Sequence, residues 1–255
     1  MDYLLFITHQ WNQGIAENYS IWKKEGDKKG LKTLLVIQND TPLELTGLDN
    51  PDDPSYIIYV KTENIQNLYP NFVSPWASSH VIILWVWKHI LEKTDKNVWV
   101  VEYDFRARGD FSKIWKAGND YDFLANGKIV PMTRDGDRYW LENGGPWLKQ
   151  FIHDNKASTT WRHMCMLSHK FLTYLDTRMA EGCNGQDEAV LGTLALEGEM
   201  KVNTLQDYFC PSFSCFKSHN DKVTEEYLLF PVKQDASSTM IFHPIKSTKA
   251  LLSHC

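Results

Sequence analysis

Two acidic side chains, Glu102 and Asp104, follow directly on an apolar segment and are the residues best placed to do chemistry in this sequence. The segment 97–101 is apolar enough to form a buried strand. Side chains two residues apart on a strand point to the same side, so the two carboxylates converge. Such a pair repels unless a cation lies between them, and Mg²⁺ or Mn²⁺ prefers oxygen ligands of this kind. The spacing therefore predicts a divalent metal site.

A simpler explanation of the same acids stays open. Arg106 follows two residues later and can form an ordinary ion pair with one of them. If the metal interpretation holds, Arg106 is close enough to help neutralise a bound diphosphate.

Two further segments carry candidate residues. Near the end of the chain, His243 offers an imidazole for a metal, and Lys246 offers an ammonium for a phosphate. The alternative is a surface loop with a solvated lysine. In the segment 185–189, Asp187 or Glu188 can accept a proton from an attacking hydroxyl or orient an acceptor. Acids in the first turn of a helix are equally well explained by the helix dipole.

The surrounding elements indicate an α/β fold. Strands are predicted at 3–8, 31–38, 55–60 and 97–101, and helices at 14–29, 78–93, 157–179 and 187–196. Short strand-like pieces follow at 226–231 and 239–243. This alternation predicts a mostly parallel central sheet with helices on both faces. In such sheets ligands bind outside the carboxyl ends of the strands, where the acidic pair lies.

Composition narrows the function classes. The chain has 255 residues, 43% hydrophobic and 23% charged, with a net charge of −5 and no basic run, so nucleic acid is not an expected partner. Five scattered cysteines without a CxxC pair argue against zinc and favour free thiols. The N-terminus lacks the pattern of a signal peptide, and no apolar segment is long enough to span a membrane. We expect a soluble, cytoplasmic protein.

The three segments, in this order, resemble GT-A type glycosyltransferases that use nucleotide sugars, especially glycosyltransferase-like proteins of algae, fungi and the large DNA viruses of algae. The resemblance rests on an opening strand that ends near Thr8 and His9, on the stretch from Trp99 to Asp110, on an Asp-Phe-Leu-Ala stretch at 122–125, on the acidic helix start and on a terminal His-Pro-Ile-Lys. It covers most of the chain and is loose from 134 to 157.

The resemblance implies a single GT-A-like domain over 1–255, with a nucleotide-sugar-binding half at 1–110 and an acceptor-binding half at 111–255. It implies a transferase that moves a hexosyl or pentosyl group from a nucleoside-diphosphate sugar to a hydroxyl of a glycan or glycoprotein. Glu102, Asp104 and His243 would bind Mn²⁺ or Mg²⁺, with Glu102 acting directly, through water or on the ribose.

The same resemblance assigns the remaining candidate residues. Thr8 and His9 would lie beside the base and ribose, and Arg106 and Lys246 beside the diphosphate. Asp187 or Glu188 would be the base of an inverting reaction, or would only position the acceptor in a retaining one. Trp140 and Trp147 could stack on sugar faces, and a core or rim role is at least as well supported for each.

Two other classes remain. A sugar-phosphate nucleotidylyltransferase would need a basic, glycine-rich loop after the first strand, and the segment 9–14 has none. A non-catalytic glycan-binding module would fit the ten tryptophans but would not need Glu102, Asp104 and His243 to converge. The sugar, the nucleotide and the acceptor are not specified by the sequence.

Overall fold

A computed structural model of the chain describes residues 1–48, 55–72, 74–75, 77–108, 111–132, 146–205 and 240–242. Strands and helices alternate from the first residues onward. The strands are β1 (Tyr3–Thr8), β2 (Lys32–Gln38), β3 (Ile57–Val60), β4 (Val98–Glu102), β5 (Arg106–Arg108), β6 (Phe123–Ala125), β7 (Val130–Pro131), β8 (Ser158–Thr159), β9 (Met164–Leu167), β10 (Val202–Thr204) and β11 (Met240–Phe242). The helices are α1 (Gln13–Lys29), α2 (Thr62–Leu68), α3 (Ser79–His89), α4 (Ser112–Ala117), α5 (Pro146–His153), α6 (His169–Ala180) and α7 (Asp187–Glu197).

The central sheet has seven strands in the order β10-β6-β9-β4-β1-β2-β3. Every neighbouring pair is parallel except for the two pairs that β9 forms, which are antiparallel. The predicted α/β class with a mostly parallel sheet is confirmed. Strands from both the 1–110 and the 111–255 portions belong to this one sheet.

Helices cover both faces of the sheet because its strands are apolar on both sides. Leu4 and Phe6 of β1 point into one core, which α1 and α4 close. Leu5 and Ile7 of the same strand point into the other core, which α3, α6 and α7 close. Alternation of side chains along a strand produces this division, and strands buried on both faces read as continuous apolar runs.

Helix α1 is bounded by clear signals at both ends. The side chain of Asn12 accepts a hydrogen bond from the backbone N–H of Ile15, at 3.0 Å. Gly30 ends the helix with φ at +76°, a left-handed conformation that glycine adopts without a steric penalty. The sequence prediction for this element is therefore confirmed within one residue at its start.

The helix predicted at 157–179 is wrong in its first half. Residues 164–167 form β9, a fully buried strand between β4 and β6, and only His169–Ala180 is helical. Apolar residues at 161, 164 and 165 matched a helical spacing by coincidence. The true helix start is marked by Ser168, whose side chain accepts from the N–H of Phe171 at 3.2 Å.

A second, small sheet joins distant parts of the chain. β11 pairs antiparallel with β5, so that Phe242 lies opposite Arg106 and Met240 opposite Arg108. The strand predicted at 239–243 is thus present, whereas the segment 226–231 lies outside the described residues. Cys165 and Cys183 are buried free thiols. No helix in the described ranges has the length and apolar character needed to cross a membrane.

Candidate active site

The carboxyl ends of β1 and β4 lie side by side. Ile7 is the register partner of Glu102, and the N–H of Tyr103 donates to the carbonyl of Ile7 at 3.0 Å. The ring of His9 meets that of Tyr103 edge-on, with centroids 5.1 Å apart. Thr8, at the end of β1, is buried and its hydroxyl donates to the carbonyl of Gln10. Thr8 and His9 therefore lie beside the acidic segment.

Asp104 lies in a turn whose backbone accepts hydrogen bonds from two side chains of α1. The N–H of Phe105 donates to the carbonyl of Glu102 at 3.0 Å and closes the turn. Asn18 donates its side-chain amide to the carbonyls of Tyr103, at 2.8 Å, and of Phe105, at 3.1 Å. The indole N–H of Trp22 donates to the carbonyl of Phe105 at 3.1 Å. Three hydrogen bonds thus hold the backbone on either side of Asp104, whose side chain is buried.

Arg162 connects the two acidic segments that the sequence singled out. Its Nη2 lies 2.6 Å from Oε1 of Glu102 and is also paired with Oδ2 of Asp187. The guanidinium is buried, and so is the carboxylate of Asp187. Burial by itself would lower the pKa of Arg162, but attraction to Asp187 and Glu102 outweighs it and raises that pKa. The arginine therefore stays charged and holds both carboxylates in place.

His163 continues this network on the side facing Glu188. Its Nδ1 lies 2.6 Å from Oε2 of Glu102, and its Nε2 lies 3.7 Å from Oε1 of Glu188. Both oxygens of Glu102 are consequently engaged, one by Arg162 and one by His163. These contacts orient Glu102 from the side of β9.

Asp187 is locked at the start of α7. Its Oδ2 accepts from the hydroxyl of Ser79 at 2.6 Å, and its Oδ1 accepts from the N–H of Glu188 at 2.8 Å. Its own N–H donates to the carbonyl of Ala77 at 2.8 Å. The start of α3 and the start of α7 therefore meet at the site, and Asp187 serves as their common acceptor.

Glu188 differs from its neighbour in being engaged less tightly. Burial, together with the charges of Asp187 and Glu102, raises the pKa of Glu188 to about 8, although Arg162 opposes the shift. Nearby, His80 is completely buried, and burial lowers its pKa to about 4, so that imidazole is neutral. A carboxyl group with such a pKa is suited to proton exchange near neutral pH.

The structure gives only part of the predicted metal site. Of the three predicted ligands, Glu102 is paired with Arg162 and His163, Asp104 has a buried side chain, and His243 lies outside the described residues. Lys246 also lies outside them, and of Arg106 only the backbone is described. Within the part of the chain that the structure describes, no group of three or more His, Cys, Asp or Glu side chains is arranged to hold a metal. The hard oxygen donors of Asp104 suit Mg²⁺ or Mn²⁺ in type.

Arg162 and His163 are the site residues that sequence reasoning missed. The helix predicted at 157–179 contains both residues near its start, where their side chains would lie on a helix surface. A usable signal was present: four consecutive apolar residues, 164–167, follow them and precede the cap at Ser168. Trp147, a candidate platform, is half-buried against Phe151 in α5, with ring centroids 4.3 Å apart, and Trp140 lies outside the described residues.

Comparison with known proteins gives similarity at the level of solved structures. No protein-family model matches the chain, and no curated protein matches it. An active-site mutant of the galactosyltransferase LgtC is similar over 100% of this chain and 95% of its own, with 10% identity and a TM-score of 0.49. Mouse xyloside xylosyltransferase 1 is similar over 82% of this chain and 87% of its own, with 9% identity and a TM-score of 0.40.

A third similar structure is core-mannan synthase A from Aspergillus fumigatus in its Mn/GDP form. It covers 81% of this chain and 73% of its own, with 13% identity and a TM-score of 0.40. At such scores and identities these structures do not assign a function to this chain.

Proposed function

We propose that this protein is a metal-dependent glycosyltransferase that moves a sugar from a nucleoside-diphosphate sugar to a hydroxyl of a glycan or glycoprotein acceptor. The observation that carries the proposal is the ion-pair bridge from Glu102 through Arg162 to Asp187. It joins a candidate donor-side acid on β4 to the candidate acceptor-side acids on α7, which are far apart in sequence. A transferase needs both substrates at one point, and this bridge brings the two segments to one point.

On the donor side, Asp104 and His243 are the proposed metal ligands. The pairing of β5 with β11 supports this assignment, because it places Phe242, the residue before His243, opposite Arg106, two residues after Asp104. Such a cation, when bound, offsets the charge that develops on the diphosphate as the glycosidic bond breaks. Arg106 and Lys246 are proposed to contact the diphosphate.

Glu102 is proposed not to bind the metal directly. Its two oxygens are held by Arg162 and His163, an arrangement that favours contact with the metal through water or with the ribose. Thr8 and His9, at the adjoining end of β1, are proposed to lie beside the ribose and base. Their position next to Tyr103 supports this role.

On the acceptor side, Glu188 is proposed to take the proton. In an inverting reaction the acceptor oxygen bonds to the anomeric carbon, its proton passes to the Glu188 carboxylate, and the leaving diphosphate oxygen keeps the electrons of the broken bond. In a retaining reaction Glu188 positions the acceptor hydroxyl. In either case Asp187 is proposed to hold Arg162 and the start of α7 in place.

Titration calorimetry with UDP and GDP, in the presence of Mn²⁺, Mg²⁺ or EDTA, tests the donor half of the proposal. We expect binding of a nucleoside diphosphate with either cation and its loss in EDTA. Equal binding without a cation would contradict the metal role. A panel of nucleotide sugars, each followed for metal-dependent hydrolysis, then identifies the donor.

The two other classes give different results in the same experiments. A sugar-phosphate nucleotidylyltransferase would release pyrophosphate from a nucleoside triphosphate and a sugar phosphate. A glycan-binding module would bind sugars without binding a nucleoside diphosphate. Neither outcome is expected. The segment 9–14 has no basic, glycine-rich loop for a triphosphate, and a simple sugar-binding surface does not require a network of buried charges.

A further inference from the structure

One tryptophan, Trp161, is exposed at the border of the site. Among the described residues it is the only tryptophan classed with the exposed apolar side chains, at 46% exposure. It directly precedes Arg162, which is buried. An indole at the edge of a buried charged network offers an apolar ring face to a ligand that enters the site.

The indole is held firmly at its base. The N–H of Gly127 donates to the carbonyl of Trp161 at 3.0 Å, and the hydroxyl of Thr160 donates to the carbonyl of Gly127 at 2.8 Å. A Cβ added to Gly127 would lie 2.8 Å from Cβ and Cδ1 of Trp161, so only glycine permits this approach. The ring therefore loses little conformational entropy when a ligand stacks on it.

The same ring is linked to the proposed acceptor acid, Glu188, through His163. Its centroid lies 5.6 Å from that of His163, at 34° between the ring planes, and Nε2 of His163 lies 3.7 Å from Oε1 of Glu188. The N–H of Thr160 donates to the carbonyl of Glu188 at 3.2 Å, which ties the two segments together. The imidazole of His163 thus contacts the ring of Trp161 and lies near the carboxyl group of Glu188.

The charges around the ring select the chemistry of that ligand. Among the described residues, Arg162 is already paired with Glu102 and Asp187, and His163 lies between Glu102 and Glu188, so both basic side chains are engaged by carboxyl groups and an anionic ligand is disfavoured. A sugar has a C–H face that packs on an indole and hydroxyl groups at its edge that donate to carboxylates. We propose that Trp161 is the stacking platform for the acceptor sugar, whose attacking hydroxyl it directs to Glu188.

This inference rests on the proposed function, because it names the acceptor subsite of the same active site. The probes are the methyl glycosides of glucose, galactose, mannose and xylose, together with lactose, cellobiose and maltose, at millimolar concentration. Saturation-transfer NMR on the full chain measures which of them bind and by which ring protons. Uridine, adenosine and a neutral tripeptide serve as comparison ligands that can also stack on an indole.

Three variants give the readout. Trp161→Ala is expected to weaken binding of the best sugar about tenfold, whereas Trp161→Phe, which keeps a ring, is expected to weaken it by roughly threefold or less. Tyr59→Ala is the matched control, because Tyr59 is an aromatic residue with 43% exposure on β3. β3 lies four strand positions from β9, about 19 Å away, so this variant should bind like the parent protein.

Each other outcome overturns the inference. It fails if Trp161→Ala binds sugars as the parent does, if Tyr59→Ala loses binding equally, if no probe sugar binds the parent protein, or if a nucleoside or the tripeptide is the preferred ligand.

Donor hydrolysis separates this inference from the proposed function. If the parent protein binds a sugar at Trp161 but hydrolyses no nucleotide sugar in the presence of metal, the proposed function fails and the protein is a glycan-binding module. If it hydrolyses a nucleotide sugar but binds no sugar at Trp161, the transferase proposal stands and the stacking platform is refuted.

Discussion

Nη2 of Arg162 lies 2.6 Å from Oε1 of Glu102, and the same guanidinium is paired with Asp187. One buried cation therefore compensates two carboxylates from opposite sides of the site. Removing it leaves two like charges close together in a poorly solvated place. Breaking a buried ion pair from one side typically costs about 3–5 kcal/mol.

The first prediction concerns Arg162→Met. We expect its free energy of unfolding, measured by urea denaturation, to fall by about 3–5 kcal/mol. Arg178→Met is the control, because Arg178 pairs with Glu181 and Glu197 on the surface, where ion pairs contribute about 1 kcal/mol or less. Equal losses in the two variants would show that the buried ion pairs of Arg162 contribute no more to stability than surface ion pairs do. Adding Glu102→Gln to Arg162→Met should restore part of the loss.

The second prediction concerns Asp104→Asn, which keeps the shape of the side chain and removes its charge. We expect affinity for a nucleoside diphosphate with Mn²⁺ to fall by about 100-fold or more, with folding retained. Calorimetry and circular dichroism measure the two properties. The control is Asp122→Asn, because Asp122 directly precedes β6 and contacts Lys170 and Ser168 away from Asp104. Nucleotide affinity should not change in that control.

The third prediction concerns pH. The folded-state pKa of Glu188 is raised to about 8 from an ordinary value near 4.5, so the folded state holds a proton that the unfolded state releases. Stability from this group is complete below about pH 4.5 and is lost as pH rises through about 8, with a slope of at most ~1.4 kcal/mol per pH unit. Glu188→Gln should flatten this decline in urea titrations. A parallel decline in both proteins would refute the assignment.

The fourth prediction concerns the turn that holds Asp104. Asn18→Asp replaces a buried donor by an acceptor facing the carbonyls of Tyr103 and Phe105, so we expect a loss of about 1–3 kcal/mol in stability. Weaker metal-dependent nucleotide binding should accompany it, because the turn loses its anchor. Trp22→Phe removes one hydrogen bond to the same turn and leaves space where a fully buried indole stood, so it should also lower stability but should weaken nucleotide binding less. A stronger loss of nucleotide binding in Trp22→Phe than in Asn18→Asp would contradict this role for Asn18.

Strand and helix periodicity predicted the first part of the fold well. β1, β2, β3 and β4 are short, strongly apolar and separated by clear breaks, so local pattern and burial agree. The acidic residues after β4 and at the start of α7 could be found in the same way, because one group follows a predicted strand and the other begins a predicted helix. Their meeting could not be read from either segment alone, since it depends on how the sheet is ordered.

The residue that joins them was hidden by the reversal of β9. A strand that enters an otherwise parallel sheet in the opposite direction presents its first residues, not its last, at the ligand-binding edge. Arg162 and His163 precede β9 and therefore reach the carboxyl end of β4. Ligand-binding residues are expected after the last residue of a parallel strand, so residues that precede a strand are not considered. In addition, the apolar residues of this segment matched a helical spacing, and the strand was not predicted.

The partner of Glu102 lies 60 residues further along the chain. During synthesis from the N-terminus, β1 to β4 can pair before that partner exists, and Glu102 then has no buried cation to face. Glu102 must remain in contact with water until Arg162 has been synthesised and β9 has paired with β4. Completion of the site therefore coincides with insertion of β9 between β4 and β6, because the residues that face Glu102 directly precede that strand.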